Sequence, residues 1–328
     1  MKNMYETEVY NSGDIDPLVS IVVPTYNRGN LLQESLDSIN KQTYSRMELV
    51  VVDDHSTPPA KEFVEKEKLN GLEKIRIIRH RRNQGANVAR NTGIEAANGK
   101  YIAFLDDDDR WEPKKVEKQV NEFRRSSEDV GVVYTWQRCI NEVGETTTLL
   151  KPELKNDVTR ELLEGARMVP FSSLMVRSSV IEEAGLPDEQ LPRFQDREWC
   201  IRLSRVCQFG YVPELLLIRT IGEYESIGDR FEEMRDTVYP TLLERYDPIA
   251  QEYGGIVPRK ANSVLAYNVS KAGIHNERYS EALRFAAKSL LFYPLNYRSL
   301  FCLLIAVGGN PLHRLGQYVR RNYLYEKS

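Results

Sequence analysis

From Val19 onward the chain alternates short apolar runs with stretches of helical spacing. "VSIVV" is a compact, β-branched run that stops at Pro24. "NLLQESLDSINKQ" then sets Leu32, Leu36 and Ile39 on one helical face, with Asn30 and Gln33 spaced like an N-cap and its capping-box partner. "ELVVV" ends at Asp53, "KIRII" follows, "NVARNTGIEAANG" reads as a second helix stopped by Gly99, and "YIAFL" is a fourth strand. The strand runs are continuously apolar rather than alternating, which suits strands buried on both faces. Together they predict an α/β fold with a mostly parallel central sheet covered by helices on both sides.

In such sheets ligands sit outside the carboxyl ends of the strands. The residues that follow each strand are therefore the candidate site. After the first come Pro24, Thr25, Tyr26, Asn27 and Arg28; after the second, Asp53, Asp54, His55 and Ser56; after the fourth, Asp106, Asp107, Asp108 and Asp109. Past about residue 130 the pattern loosens, with strands expected at "GVVYTW" and "FSSLMVR", a short helix at "SSVIEEAG" stopped by Gly185, a longer one beginning near Asp196, and a last strand at "YVPELLLIR". From about Phe231 the spacing turns helical, and "YSEALRFAAKSLLFYPLN" puts Tyr279, Ala282, Leu283 and Pro294 at tetratricopeptide-like positions, a unit that needs neighbours to bury its face. The expected division is an N-terminal arm over 1–18, a main domain over 19–230 and a helical region over 231–328.

Charge narrows the partners. With 45 basic against 48 acidic residues and a net charge of -3, nothing points to nucleic acid. Cys139, Cys200, Cys207 and Cys302 form no CxxC pair and no zinc spacing with histidine, as expected for reduced thiols in a cytoplasmic protein. The N-terminal "MKNMYETEVYNSGDIDP" lacks the apolar stretch of a signal peptide. "SLFCLLIAVGG" is too short to span a bilayer and reads as a buried helix or the apolar face of an interfacial one. Because "LLFYPLNYRSLFCLLIAV" exceeds what one short helix buries, the C-terminal helices are expected to present an acceptor, to touch the cytoplasmic face of a membrane peripherally, or to self-associate.

An acidic run is ordinarily a solvated turn. Asp106 to Asp109, however, end a strand expected to be central, and other polar clusters converge on the same edge. Adjacent carboxylates raise one another's pKa, a cost that a divalent cation removes. Mg²⁺ and Mn²⁺ prefer oxygen ligands, and Mg²⁺ takes one or two carboxylates plus substrate phosphates.

"VSIVVPTYNR", "ELVVVDDHS", "NQGANVARNTGIEAANGKYIAFLDDDD" and "RFQDREWCIRL", in that order, resemble the motifs of the family-2 nucleotide-sugar glycosyltransferases. The resemblance covers roughly Val19 to Arg219 and implies a GT-A fold, a Rossmann-like nucleotide-binding half joined to an acceptor-binding half. It implies that Pro24, Thr25 and Tyr26 line the uridine pocket, that Asp54 hydrogen-bonds the base with Asp53 close by, and that Arg28 and Arg90 lie near the nucleotide or its phosphates. Asp106 and Asp108 become the pair linked to Mn²⁺ or Mg²⁺, Asp107 a neighbour of the ribose, and Asp109 part of the surrounding loop. Asp196 matches the catalytic base, and Trp199 and Arg202 the residues that commonly follow it. The chain departs from the pattern at His55, where the family usually has Gly, and at Gln195, where it usually has Glu.

The implied activity is inverting transfer of a sugar from a nucleotide-diphosphate donor, UDP favoured, to a glycan or lipid-linked acceptor hydroxyl. Bland roles stand beside these: Asp196 as an N-cap, Trp199 as packing, Arg90 as a surface charge. A sugar-phosphate nucleotidyltransferase would carry a Gly-rich, basic loop where this chain has "PTYNRGN", and an NAD-dependent oxidoreductase would carry GxGxxG there. A non-catalytic nucleotide-sugar binder would lack an aspartate at 108 or 196, and both are present. His80, His275 and His313 have no partners that the sequence assigns.

Overall fold

The computed structural model describes residues 16–65, 69–167, 169–221 and 231–319. Most of the N-terminal arm and the boundary stretch 222–230 lie outside these residues. The chain runs β1 (Val19–Thr25), α1 (Gly29–Asn40), β2 (Met47–Asp53), β3 (Lys74–Arg79), α2 (Ala86–Ala96), β4 (Tyr101–Phe104), β5 (Asp109–Trp111), α3 (Lys115–Arg125), β6 (Val130–Ile140) and β7 (Thr146–Leu150). It continues through α4 (Thr159–Leu163), β8 (Met175–Arg177), α5 (Ser178–Ala184), α6 (Gln195–Ser204) and β9 (Gln208–Thr220). The helical end comprises α7 (Phe231–Glu233), α8 (Tyr239–Tyr253), α9 (Val257–His275), α10 (Tyr279–Phe292) and α11 (Tyr297–Val319).

Among the described residues the strands form one nine-stranded sheet in the order β3-β2-β1-β4-β8-β6-β9-β5, with β7 on β6. The half from β3 to β4 is wholly parallel. Beyond it, β8 runs antiparallel to both β4 and β6, while β9 is parallel to β6 and antiparallel to β5. Alternate residues of β1 enter different cores: Val19, Ile21 and Val23 pack with α1 and α3 residues such as Leu36 and Phe123, and Val22 packs with Phe104 and Trp199. Burial on both faces explains the unbroken apolar runs.

Local chemistry sets the strand ends. Pro24 lies inside β1, paired with Val52, rather than after it. The last ladder bond from β4 to β1 runs from the Leu105 amide to the Val22 carbonyl at 3.0 Å. In a parallel ladder the next donor on that side would be the amide of residue 24, which proline lacks. Helix α2 lies flat on β1 because a Cβ at Gly93 would come within 2.3 Å of Val22. Arg90, one turn earlier on that face, is thereby held against the sheet edge. Helix α1 begins at Gly29 with Arg28 at its N-cap and no side-chain cap. Asn30 thus falls within the first turn and does not cap the helix, and Gln33 bonds Glu65 instead.

The helical end does not build a wholly separate core. Phe231, Leu242, Tyr246, Leu265 and Val269 belong to the same buried cluster as Phe104 and Trp199. A smaller cluster of Ile274, Ala282, Ala286, Cys302 and Ala306 holds α9, α10 and α11 together. The four cysteines are free thiols. Among the described residues no helix is long and apolar enough to cross a membrane.

Lys115 is fully buried, its Nζ donating to Gln119 Oε1 at 2.8 Å and lying 4.0 Å from the Trp111 ring centroid. Burial holds its pKa well below the ordinary lysine value. The unfolded chain therefore binds a proton here that the folded chain refuses, up to roughly pH 10.4. Folding stability gains from this site as pH rises through that window and loses the gain as pH falls. Lys115→Met should remove a slope of about 1.4 kcal/mol per pH unit, read by denaturant unfolding between about pH 8 and 10.

Candidate active site

Thr25, Asp53 and the loop after β4 meet at the carboxyl edge of the parallel half-sheet. A cleft of about 490 Å³ opens there, and its wall includes Pro24, Thr25, Tyr26, Arg28, Asp54, Arg90, Asp106, Asp107 and Asp108. Nine residues nominated from three separate strand ends and one helix thus share one cavity. Asn83, Gly85, Ala86 and Ala89 complete it. Tyr26 is 45% exposed and presents its ring to the cleft.

The four aspartates have four environments. Asp106 accepts a bond from Arg90 Nη2 at 2.6 Å. Burial opposes its ionisation, but Arg90, with Arg219 and Arg28, outweighs that and holds it below the usual carboxylate value. Asp107 accepts from Thr25 Oγ1 at 2.7 Å and from Arg28 Nη1 at 3.2 Å, yet burial pushes it up to about 6. Asp108 accepts from Arg28 Nη1 at 2.6 Å, and burial together with the charge of Asp106 pushes it up. Asp109 is not a loop residue: it opens β5, is 2% exposed, and sits opposite Arg219 of β9, whose Nε is 3.6 Å away. Burial and the neighbouring carboxylates push Asp109 up to about 8 against the pull of Arg219.

The fit of a cation can be judged from this donor set. Asp106 to Asp109 face three guanidiniums, those of Arg28, Arg90 and Arg219, and burial pushes Asp107, Asp108 and Asp109 up, so the arginines already offset much of the carboxylate charge. Among the described residues no group of three or more His, Cys, Asp or Glu side chains converges as a metal cage. Asp106, Asp107 and Asp108 line the cleft without closing into a cage, which suits an ion that completes its shell with substrate phosphates.

The two aspartates after β2 are engaged by the protein. Asp53 accepts from the Ser56 and Ala60 amides at 2.7 and 3.0 Å and from Arg79 at 3.1 Å, and it does not line the cleft. Asp54 lines the cleft but also accepts from the Gln84 and Gly85 amides and from His80 Nδ1 at 2.7 Å. His80 therefore has a partner that its sequence neighbourhood does not reveal, and its Nε2 meets Thr92 Oγ1 at 3.0 Å. His55 adopts φ 73°, the left-handed conformation that glycine enters freely, so the turn survives without the glycine.

Asp196 does not line this cleft. It lies in the first turn of α6, directly after Phe194 at φ 61° and Gln195. Left-handed backbone at a phenylalanine is strained, and such strain collects at functional sites. The Asp196 carboxylate accepts the Arg197 amide at 2.9 Å, and burial raises its pKa against the pull of Arg197, Arg219 and Arg90. The two regions are tied through Arg90, whose Nη2 holds Asp106 and whose Nη1 reaches Gln195 Oε1 at 3.5 Å. Its guanidinium carbon also lies 4.2 Å from the Phe171 ring centroid.

Trp199 is fully buried and stacks on Phe171, with its indole N–H on the Gly185 carbonyl. Arg202 bonds the Ala184 and Leu186 carbonyls and Glu198, so it clasps the α5–α6 connection. Sequence reading missed two contributors. Arg219 was visible only as a charge closing an apolar strand, and Ser172, whose Oγ accepts the Asp106 amide at 3.0 Å, carried no signal.

A half-sheet of this topology, an Asp-rich strand end and an attached second half define the GT-A class of fold. The sequence model "Glycosyl transferase family 2" matches residues 20–184, half of the chain. A glycosyltransferase of Methanocaldococcus jannaschii is 32% identical over 234 residues, covering 70% of this chain and 80% of that protein. The chain belongs to glycosyl transferase family 2 and is a glycosyltransferase. Glycosyltransferases of Rickettsia felis and Rickettsia bellii are longer, and the matched region spans 34% and 30% of their lengths. Among solved structures, Staphylococcus aureus TarS 1-349 in complex with UDP-GlcNAc superposes with a TM-score of 0.57 at 18% identity, covering 91% of this chain and 92% of that one. The mannosyltransferase PcManGT of Pyrobaculum calidifontis, in complex with GDP-Man and Mn²⁺, gives 0.56 at 17% identity, covering 98% and 91%. Both likenesses concern the fold.

Proposed function

We propose that this protein transfers a sugar, with inversion, from a nucleotide-diphosphate sugar, most simply a UDP-sugar, to an acceptor hydroxyl in glycan or glycolipid assembly. The observation that carries the reading is the single cleft gathering Tyr26, Asp54, Arg28, Arg90 and Asp106 to Asp108. Tyr26 offers a half-exposed ring for the base, and Asp54, which lines the same cleft, is held by the Gln84 and Gly85 amides. Thr25 and Asp107 form a hydrogen-bonded pair suited to ribose hydroxyls. Arg28 and Arg90 can turn from their carboxylates to the diphosphate, which offers stronger, doubly charged acceptors.

Asp106 and Asp108 would hold Mn²⁺ or Mg²⁺, each having one carboxylate oxygen on an arginine and the other available. A divalent cation there supplies neutralisation of the charge that develops on the leaving diphosphate. Asp196 takes the acceptor proton: its Oδ1 already holds the Arg197 amide, and its second oxygen is the base. The acceptor oxygen bonds the anomeric carbon as the bond to the diphosphate oxygen breaks. A single displacement with one base gives inversion.

The reading is tested by screening UDP-, GDP- and dTDP-sugars for cation-dependent binding and slow hydrolysis. A UDP-sugar should bind at least about tenfold more tightly with Mn²⁺ than without it. Equal affinity with and without cation for every donor would defeat the assignment of Asp106 and Asp108.

A further inference from the structure

The last helical hairpin turns an apolar face outward. Leu291, Leu295, Leu300, Phe301, Leu304 and Val307 are 50 to 79% exposed. Those on α11 fall at i, i+1, i+4 and i+7, one side of a helix. Cys302 and Ala306, on the opposite side, bury themselves against α9 and α10. Four large apolar side chains in one stripe of α11, Leu300, Phe301, Leu304 and Val307, exceed the scattered exposure normal for a protein surface.

Charge indicates what covers this face. Between Glu281 and Glu326 lie 44 residues without a single acidic side chain, whereas 48 acids in 328 residues would place about six in such a stretch. The same stretch carries six basic residues, among them Arg284, exposed on the side of α10 that carries Leu291. From Ala282 onward the hairpin is acid-free, basic and apolar, and it complements an anionic lipid surface, where apolar side chains enter the acyl boundary and cations meet headgroups. A second copy of the chain is a poorer occupant, because a two-fold contact would set this positive excess against itself. Among the described residues no helix can cross the bilayer, so the hairpin would lie on it.

We infer that the outer face of α10 and α11 is a docking surface for an anionic lipid bilayer. This rests on the hairpin alone and is independent of the chemistry assigned to the cleft. The test is co-sedimentation of the full chain with vesicles of phosphatidylcholine alone or mixed with phosphatidylglycerol. Binding should be at least about tenfold stronger to the anionic vesicles. Phe301→Ser with Leu304→Ser should lower binding at least about tenfold. Arg284→Gln should lower it about fivefold on anionic vesicles and leave binding to phosphatidylcholine unchanged. All three side chains are exposed, so circular dichroism and nucleotide-sugar binding should match the parent. Absence of binding to anionic vesicles, or serine variants that bind as the parent does, overturns the proposal. A dimer abolished by the serine pair, in a protein that ignores vesicles, assigns the face to a second copy and also overturns it.

Discussion

Asp196→Asn should lower kcat by about 10³-fold while leaving the donor dissociation constant within about twofold. Asparagine preserves the size of the side chain and its acceptor oxygen for the Arg197 amide, which now sits 2.9 Å from Asp196. What it removes is the ability to take a proton. Because Asp196 does not line the donor cleft, nucleotide-sugar binding has no contact to lose. Calorimetric titration of the donor beside single-turnover transfer separates the two effects, and near-parental turnover would show that another group is the base. The parent's pH profile gives an independent check. Burial raises the Asp196 pKa, so kcat should be flat at higher pH and fall as pH drops through a value above the ordinary aspartate range. The slow asparagine variant should lack that acid limb.

Asp108→Ala should weaken cation-dependent donor binding by at least about a hundredfold. Its carboxylate shares the cleft with Asp106, and each raises the cost of ionising the other. Protons and a divalent cation compete for these oxygens, so in the parent the Mn²⁺-supported affinity should rise with pH as the carboxylates ionise. Removing Asp108 should flatten that rise. The substitution also releases Arg28, which now bonds both Asp107 and Asp108. Cation-free binding should consequently change far less than cation-supported binding. Parental UDP affinity with Mn²⁺ in the alanine variant would rule out Asp108 as a ligand.

The legible parts of this molecule are those in which one strand or helix carries its own signal. The parallel strands announced themselves by unbroken β-branched runs, because both faces of β1 and its neighbours are buried. The cleft followed from what stood at their carboxyl ends. The three-residue strand β5 could not be read in the same way, since three residues carry no period, and β8 fills only the end of the expected "FSSLMVR". Asp109 shows the cost of that gap: four identical letters in a row gave no reason to place the last one in a strand opposite Arg219, 110 positions away. His80 was opaque for a similar reason, as its partner Asp54 is 26 residues earlier. At His55 the residue type argued against a glycine-like turn, and the backbone adopted it regardless. Asn30 misled in the other direction, its capping chemistry being common while the helix began one residue before it.

Pro24 has a consequence beyond the strand it interrupts. Two parallel strands close on each other for as long as donors face acceptors, and the bond from the Leu105 amide to the Val22 carbonyl is the last in this ladder. One step further the β1 side has no hydrogen to offer. The chain after Leu105 therefore gains no ladder bond from residue 24 as it swings out into the aspartate turn, and the Asp106 amide bonds Ser172 Oγ instead. A missing N–H favours the open mouth of the cleft there. A residue with an ordinary amide at position 24 would let the sheet grow by one rung into the space where Asp106 begins.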